Sequence, residues 1–212
     1  MERNLLAIII PANNEEEAIG ECLQSVSAAA QHPGLDGEDV LTIVVLDACT
    51  DGTAHIAHQA GARLALARGA RWLAFTDADT TVAPDWLHEQ MSLRSDAVCG
   101  TVSVLDWGVY GEPMRRHFHA TYTDADGHQH IHGANLGVSA EAYHRAGGFE
   151  PLASSEDVAL VKALQAAGAR IAWSAAPRVV TSARKMFRAP GGFGATLLGL
   201  TQGLYPSSEF GT

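Results

Sequence analysis

The chain has 212 residues, 47% of them hydrophobic, enough to bury one sizeable core. Its formal net charge of −10 excludes a general nucleic-acid or anionic-membrane binder, because phosphate contacts need a basic footprint. Three scattered cysteines (Cys22, Cys49, Cys99) with no Cys-x-x-Cys exclude a disulfide framework or zinc ribbon. With no signal peptide and no apolar run of membrane length, the expectation is a soluble, cytoplasmic protein without a transmembrane segment.

In chain order, Leu5 to Ile10 is a continuous apolar run ended by Pro11, the pattern of a parallel strand covered on both faces. Asn13 or Asn14 is positioned to cap a helix whose first turn carries Glu15, Glu16 and Glu17, favourable against the helix dipole. Ile19, Cys22, Leu23 and Val26 then form one apolar stripe. Past a loop at Pro33-Gly34, Leu41 to Leu46 predicts a second strand, ending in Asp47. A helix through Ile56 and Ala60 is interrupted by Gly61; Ala62 to Arg68 reads as further helix, closed by Gly69 in a left-handed cap.

Arg71 to Phe75 is too short for a surface helix, and its Trp and Phe suit a buried strand. It runs into Thr76-Asp77-Ala78-Asp79. In an extended backbone i and i+2 point the same way, so Asp77 and Asp79 would project together from the strand's carboxyl end. Open α/β sheets bind their ligands there. Two neighbouring carboxylates repel unless a cation sits beside them, so the pair asks for a hard divalent metal; the alternative is a solvated turn.

Pro84 suits the first turn of a helix carrying Trp86, Leu87 and Met91, and Ala97 to Leu105 predicts a fourth strand. From Asp106 to His130 the pattern loosens into a substrate-facing excursion rather than core. Inside it, Thr-Asp-Ala-Asp recurs at Thr123 to Asp126, but before Gly127 and after a polar segment, so it reads as a turn. His128, His130 and His132 would share a face in a strand and could ligate a metal; for His128 and His130 a polar edge or turn is preferred. Asn135 to Val138 and a helix from Ser139 to Gly147-Gly148 follow. Ser154 or Ser155 caps a helix that begins Glu156-Asp157 and turns Leu160, Val161 and Leu164 inward. Ile171 to Trp173 and Val179-Val180 are short strands. Arg178, Arg184, Lys185 and Arg188 form either a solvated face or a diphosphate clamp. Alternating strands and helices give an α/β class: a doubly wound, mostly parallel, Rossmann-like central sheet flanked by helices.

Five stretches together resemble the family 2 nucleotide-sugar glycosyltransferases of GT-A fold, across about residues 5 to 182. They are Ile10 to Glu16, Val45 to Thr53, Asp77-Ala78-Asp79, Gly133 to Val138 running into Gly147-Gly148-Phe149, and Ser155-Glu156-Asp157. The resemblance implies a single GT-A catalytic domain, expected over residues 1–206; the residues from Ser207 read by themselves as a tail, 207–212. Its nucleotide-binding half would span 1–105, its acceptor and catalytic half 106–182, and a basic, Gly-rich segment 183–206. It implies a metal-dependent, inverting, non-processive glycosyltransferase using a nucleotide sugar (UDP- or GDP-sugar), a hydroxyl-bearing acceptor and Mn²⁺ or Mg²⁺. A homodimer is compatible with it. Pro11, Ala12 and Glu15 would line the nucleoside pocket, and Asp47 would accept from base or ribose. Asp77 would contact the ribose or metal shell, and Asp79 would ligate the metal. His132, Gly133 and Asn135 would lie near the donor sugar, Arg184 near the diphosphate. Asp157 would be the general base, with Glu156 its neighbour.

Two departures stand out. The family carries another strand and a loop where Ala57 to Arg63 runs directly on; either that strand is lost or the loop lies outside the numbered chain, and the latter is preferred. No Gln-x-x-Arg-Trp follows Glu156-Asp157, which argues against a processive synthase. A sugar-phosphate nucleotidyltransferase is the rival enzyme, but it needs a basic Gly-rich loop after the first strand, and Pro11 to Glu17 is acidic and glycine-free. A non-catalytic nucleotide-sugar-binding protein is the remaining rival.

Overall fold

The computed structural model describes residues 4–46, 54–108, 111–150, 152 and 154–183. Its spine is β1 (Leu5–Ala12), in which Leu6, Ala7, Ile8, Ile9 and Ile10 are all fully buried. Their side chains alternate between two cores. Leu6, Ile8 and Ile10 meet Cys22, Val26 and Ala29 of α1 (Ile19–Ala30) and Trp86 and Leu87 of a later helix. Ala7 and Ile9 join Ala62 and Ala65 of the second helix on the other face. A strand covered on both sides cannot alternate apolar with polar, which is why this one reads as an unbroken hydrophobic run.

After α1, β2 (Asp39–Leu46) pairs parallel with β1, and α2 (Ala54–Ala67) crosses over to β3 (Trp72–Phe75), parallel to β1 on its other side. A two-residue β4 (Thr81–Val82), α3 (Trp86–Ser92) and β5 (Ala97–Gly100) follow. Then come α4 (Gly111–Thr121), β6 (Leu136–Ser139), α5 (Ala140–Arg145), α6 (Glu156–Ala166), β7 (Ile171–Ser174) and β8 (Val179–Val180). The main sheet has the order β2-β1-β3-β6-β5-β7; β6 runs antiparallel to both neighbours and every other pairing is parallel. β4 and β8 form a separate antiparallel pair.

Several expectations are corrected. α1 starts at Ile19; Glu15 to Ala18 form a preceding turn, with the Ala18 and Ile19 amides both donating to the Glu15 carbonyl. α2 is unbroken through Gly61, and the chain passes straight from it into β3, so the described residues hold no strand between them. Gly61 is set by packing: a Cβ there would lie 2.5 Å from the Ile9 Cγ2 and 3.1 Å from the Val45 Cγ2. Glycine lets α2 settle against β1 and β2. The fourth strand stops at Gly100, and beyond it only Ser103 makes a bridge, to Val180. The stretch from Asp106 carries α4 and a small core of its own, in which Val104, Trp107, Met114, Phe118 and Ala183 are buried together.

Candidate active site

The carboxyl ends of β1 and β3 lie side by side, since Thr76 donates its amide to the Ile9 carbonyl. β3 itself ends at Phe75, so Asp77 and Asp79 are brought together by a turn, closed by the Thr80 amide on the Asp77 carbonyl, rather than by strand alternation. Ala78 between them is buried. Cys22 of α1 approaches the same carbonyl with its thiol, Sγ to O 3.4 Å, and burial holds that thiol up at about 12, so it serves as an inert prop.

Burial is the largest cause that raises the Asp77 carboxyl from the ordinary aspartate range to about 7; the Asp79 charge raises it further. His58 pulls the other way, and Asp157 and Glu156 add to the rise. Four carboxylates from two distant stretches therefore share one electrostatic environment. Two half-buried, mutually repelling carboxylates fit a divalent cation, which would relieve their repulsion. Among the described residues no group of three or more His, Cys, Asp or Glu gathers as a ready-made ligand set. Asp79 also lines a cavity of about 420 Å³ with Glu21, Thr81, Asp106 and Thr181. The wall is tied by Thr80 donating its hydroxyl to Thr181, 3.0 Å away.

Asp157 sits in the first turn of α6. Its Oδ2 accepts from the Gly133 amide at 2.9 Å and its Oδ1 from the Val158 amide at 2.8 Å. Burial nevertheless outweighs both and raises its pKa, with Glu156 adding to the rise and His58 opposing it. Ser155, at the cap position, adopts a left-handed φ of 61° and makes no side-chain cap bond, contrary to the expected serine cap.

Gly133 lies at the start of a short 3₁₀ turn, Gly133–Asn135, entering β6. Just before it, the Tyr122 hydroxyl accepts from the Val102 amide (2.8 Å) and lies within hydrogen-bond distance of His132 Nε2, 3.0 Å, with the ring's tautomer setting which of the two donates. Burial, then His130 and His128, push the His132 pKa down to about 3. His128, His130 and His132 do not form a strand. His128 accepts the His130 amide and His130 accepts the Thr123 amide, so a nitrogen of each is spent on loop geometry. The repeated Thr-Asp-Ala-Asp is indeed a turn, with Gly127 at φ 84°. Asp124 accepts from the Thr101 hydroxyl, and Asp126 from the Ser174 hydroxyl and the Ala175 amide.

Asn135 departs from the donor-contact expectation. It is fully buried; its amide nitrogen donates to the Thr101 and Pro177 carbonyls, and its oxygen accepts from the Trp86 indole at 2.9 Å. With both N–H groups engaged, this side chain joins β5, α3 and the approach to β8. Pro11 and Ala12 end β1, and Glu15 is half-buried in the turn beyond. Asp47 and Arg184 lie outside the described residues, as do Lys185 and Arg188.

His58, whose charge bears on Asp77 and Asp157, and Tyr122, which meets His132, are the neighbours of the candidate site that sequence reasoning missed. For His58 a signal existed: it shares a buried face of α2 with Ala57, Gly61, Ala62 and Ala65, and an imidazole on such a stripe needs a partner.

Residues 7–64 match the sequence family described as Glycosyl transferase family 2. In fold, the chain is similar to S. aureus TarS, with a TM-score of 0.56 at 17% identity, over 84% of this chain and 36% of that one. It is similar also to the mannosyltransferase PcManGT from Pyrobaculum calidifontis in complex with GDP-Man and Mn2+, with a TM-score of 0.57 at 21% identity over 87% of this chain and 58% of that one. The family match is confined to residues 7–64, while the likeness in fold, of GT-A type, runs over most of the chain. It spans about a third of TarS and somewhat over half of PcManGT. No curated protein matches it in sequence. Within the GT-A fold the four carboxylates lie where β1, β3 and the start of α6 converge, and no described helix is long and apolar enough to cross a membrane.

Proposed function

We propose that the chain transfers a sugar from a nucleotide-sugar donor to a hydroxyl acceptor, non-processively and with inversion at the anomeric carbon. The observation that carries this reading is the electrostatic meeting of Asp77 and Asp79 with Glu156 and Asp157. One pair suits a cation on the donor diphosphate, the other a base for the acceptor. Asp79 and Asp77 would hold Mn²⁺ or Mg²⁺, with diphosphate oxygens and water completing an oxygen-rich shell. When bound, such an ion supplies charge neutralisation on the departing diphosphate. The manganese and GDP-Man in the mannosyltransferase complex support both a divalent ion and a nucleotide-sugar donor.

Asp157 takes the proton from the acceptor hydroxyl as that oxygen attacks C1 from the face opposite the leaving diphosphate. Its raised pKa makes it a stronger base than an exposed aspartate, and the Gly133 amide fixes one of its oxygens. Pro11, Ala12 and Glu15, at the end of β1, would line the nucleoside pocket together with Asp47, and Gly133 and His132 would border the donor sugar. Arg184 would face the diphosphate. Thermal unfolding of the protein with UDP-, GDP- and dTDP-sugars, with and without Mn²⁺, tests the reading. One nucleotide class should raise the midpoint, and more so with the ion, because binding to the folded state stabilises it. No rise with any donor contradicts it.

A further inference from the structure

His58 is a buried imidazole that none of these roles uses. It is 4% exposed, stacks on Phe149 with ring centres 5.2 Å apart and meets Phe75 edge-on at 5.7 Å. Among the described residues neither ring nitrogen has a hydrogen-bond partner, although Nδ1 lies 3.4 Å from Glu156 Oε1. A buried polar group left without a bond is destabilising, and a phenylalanine or leucine would fill an aromatic slot without that cost. The nitrogen therefore calls for a use, and the nearby carboxylate supplies one.

A second observation concerns the turn that carries this carboxylate. Ser155 is left-handed without being glycine and lacks a cap bond, so the entry to α6 is strained. Such a turn keeps its shape only when its neighbours fix it. The Gly133 amide fixes Asp157. His58 is the group that reaches Glu156 from α2.

We propose that His58 is a positioning residue of the transfer site, whose Nδ1–H bonds Glu156 and so fixes the first turn of α6 and the aim of Asp157. Closing the present 3.4 Å to an ordinary length of about 2.9 Å asks for a shift of roughly half an ångström. The inference rests on the sugar-transfer reading, because the aim of Asp157 matters only if that residue meets an acceptor.

The test uses the whole chain with the donor that stabilises it. His58→Phe fills the same aromatic slot without a nitrogen, and His58→Asn keeps an N–H near the Nδ1 position. The expected result is a loss in kcat of roughly 100-fold for His58→Phe, the scale for a misaimed catalytic group, with donor KM near wild type and Tm no lower than wild type. His58→Asn should recover most of that loss. Unchanged kcat in His58→Phe, or equal kcat loss in both variants accompanied by a fall in Tm, would overturn the proposal, since only packing would then be at stake. Should the wild type turn over no donor, sugar transfer fails on its own account, and ¹⁵N spectra of the histidine rings decide about His58. Its Nδ1 resonance should move in Glu156→Ala; a resonance that stays put refutes the pairing.

Discussion

Replacing Asn135 with alanine separates two roles the residue could have, donor contact or internal staple. The change removes three hydrogen bonds and leaves the Thr101 carbonyl, the Pro177 carbonyl and the Trp86 indole N–H without their partner. Each orphaned buried group costs about 1–3 kcal/mol, and partial relaxation brings the total to roughly 3–6 kcal/mol. That is a large share of the ~5–15 kcal/mol that holds an ordinary domain folded. For a chain of this size each kcal/mol moves the midpoint by about 2–4 °C, so Asn135→Ala should melt roughly 10–20 °C lower. Differential scanning fluorimetry gives the midpoint, and calorimetric titration of the folded protein gives donor affinity, which should change less than about threefold. A midpoint within about 3 °C of wild type, with affinity down tenfold or more, would refute the staple and restore Asn135 to the donor site.

Gly61→Ala should destabilise the protein by about 1–2 kcal/mol, because overpacking against Ile9 exceeds the ~1 kcal/mol gained in helix propensity; a rise in the chemical-denaturation midpoint would contradict the packing argument. The depressed His132 pKa contributes stability that is fully present above about pH 6.5 and is lost as pH falls toward 3. The stability difference between wild type and His132→Gln should therefore shrink on acidification, by at most about 1.4 kcal/mol per pH unit, and be flat above neutrality; a difference independent of pH would remove the desolvated imidazole. Asp157→Asn should leave donor-induced stabilisation intact while transfer falls at least 100-fold, a general base contributing on the order of 10²–10⁴; retained transfer would exclude Asp157 as the base.

What was legible in the sequence follows the range of the forces involved. The strand Leu5 to Ile10 announces itself because burial on both faces leaves an unbroken apolar run. The Asp77-Asp79 pair and Glu156-Asp157 are readable because each stands at the end of an element, just after β3 and at the start of α6. α4 was missed because its buried stripe is thin, Met114 and Phe118 alone among charged and polar residues. The break at Gly61 was a local inference overruled by a methyl group 52 residues away, Ile9 Cγ2. The reversed direction of β6 comes from its connections, which no periodicity records. Asn135 looked like a ligand contact because its three partners lie on segments 34 to 49 residues distant. His58 and Tyr122 were hidden for the same reason.

The most direct test is release of nucleoside diphosphate from the stabilising donor, followed with and without Mn²⁺ for wild type and Asp79→Asn. Manganese-stimulated release by the wild type and its loss in the variant are expected, with the variant still folded by circular dichroism. Equal, manganese-stimulated release by both proteins would contradict that expectation.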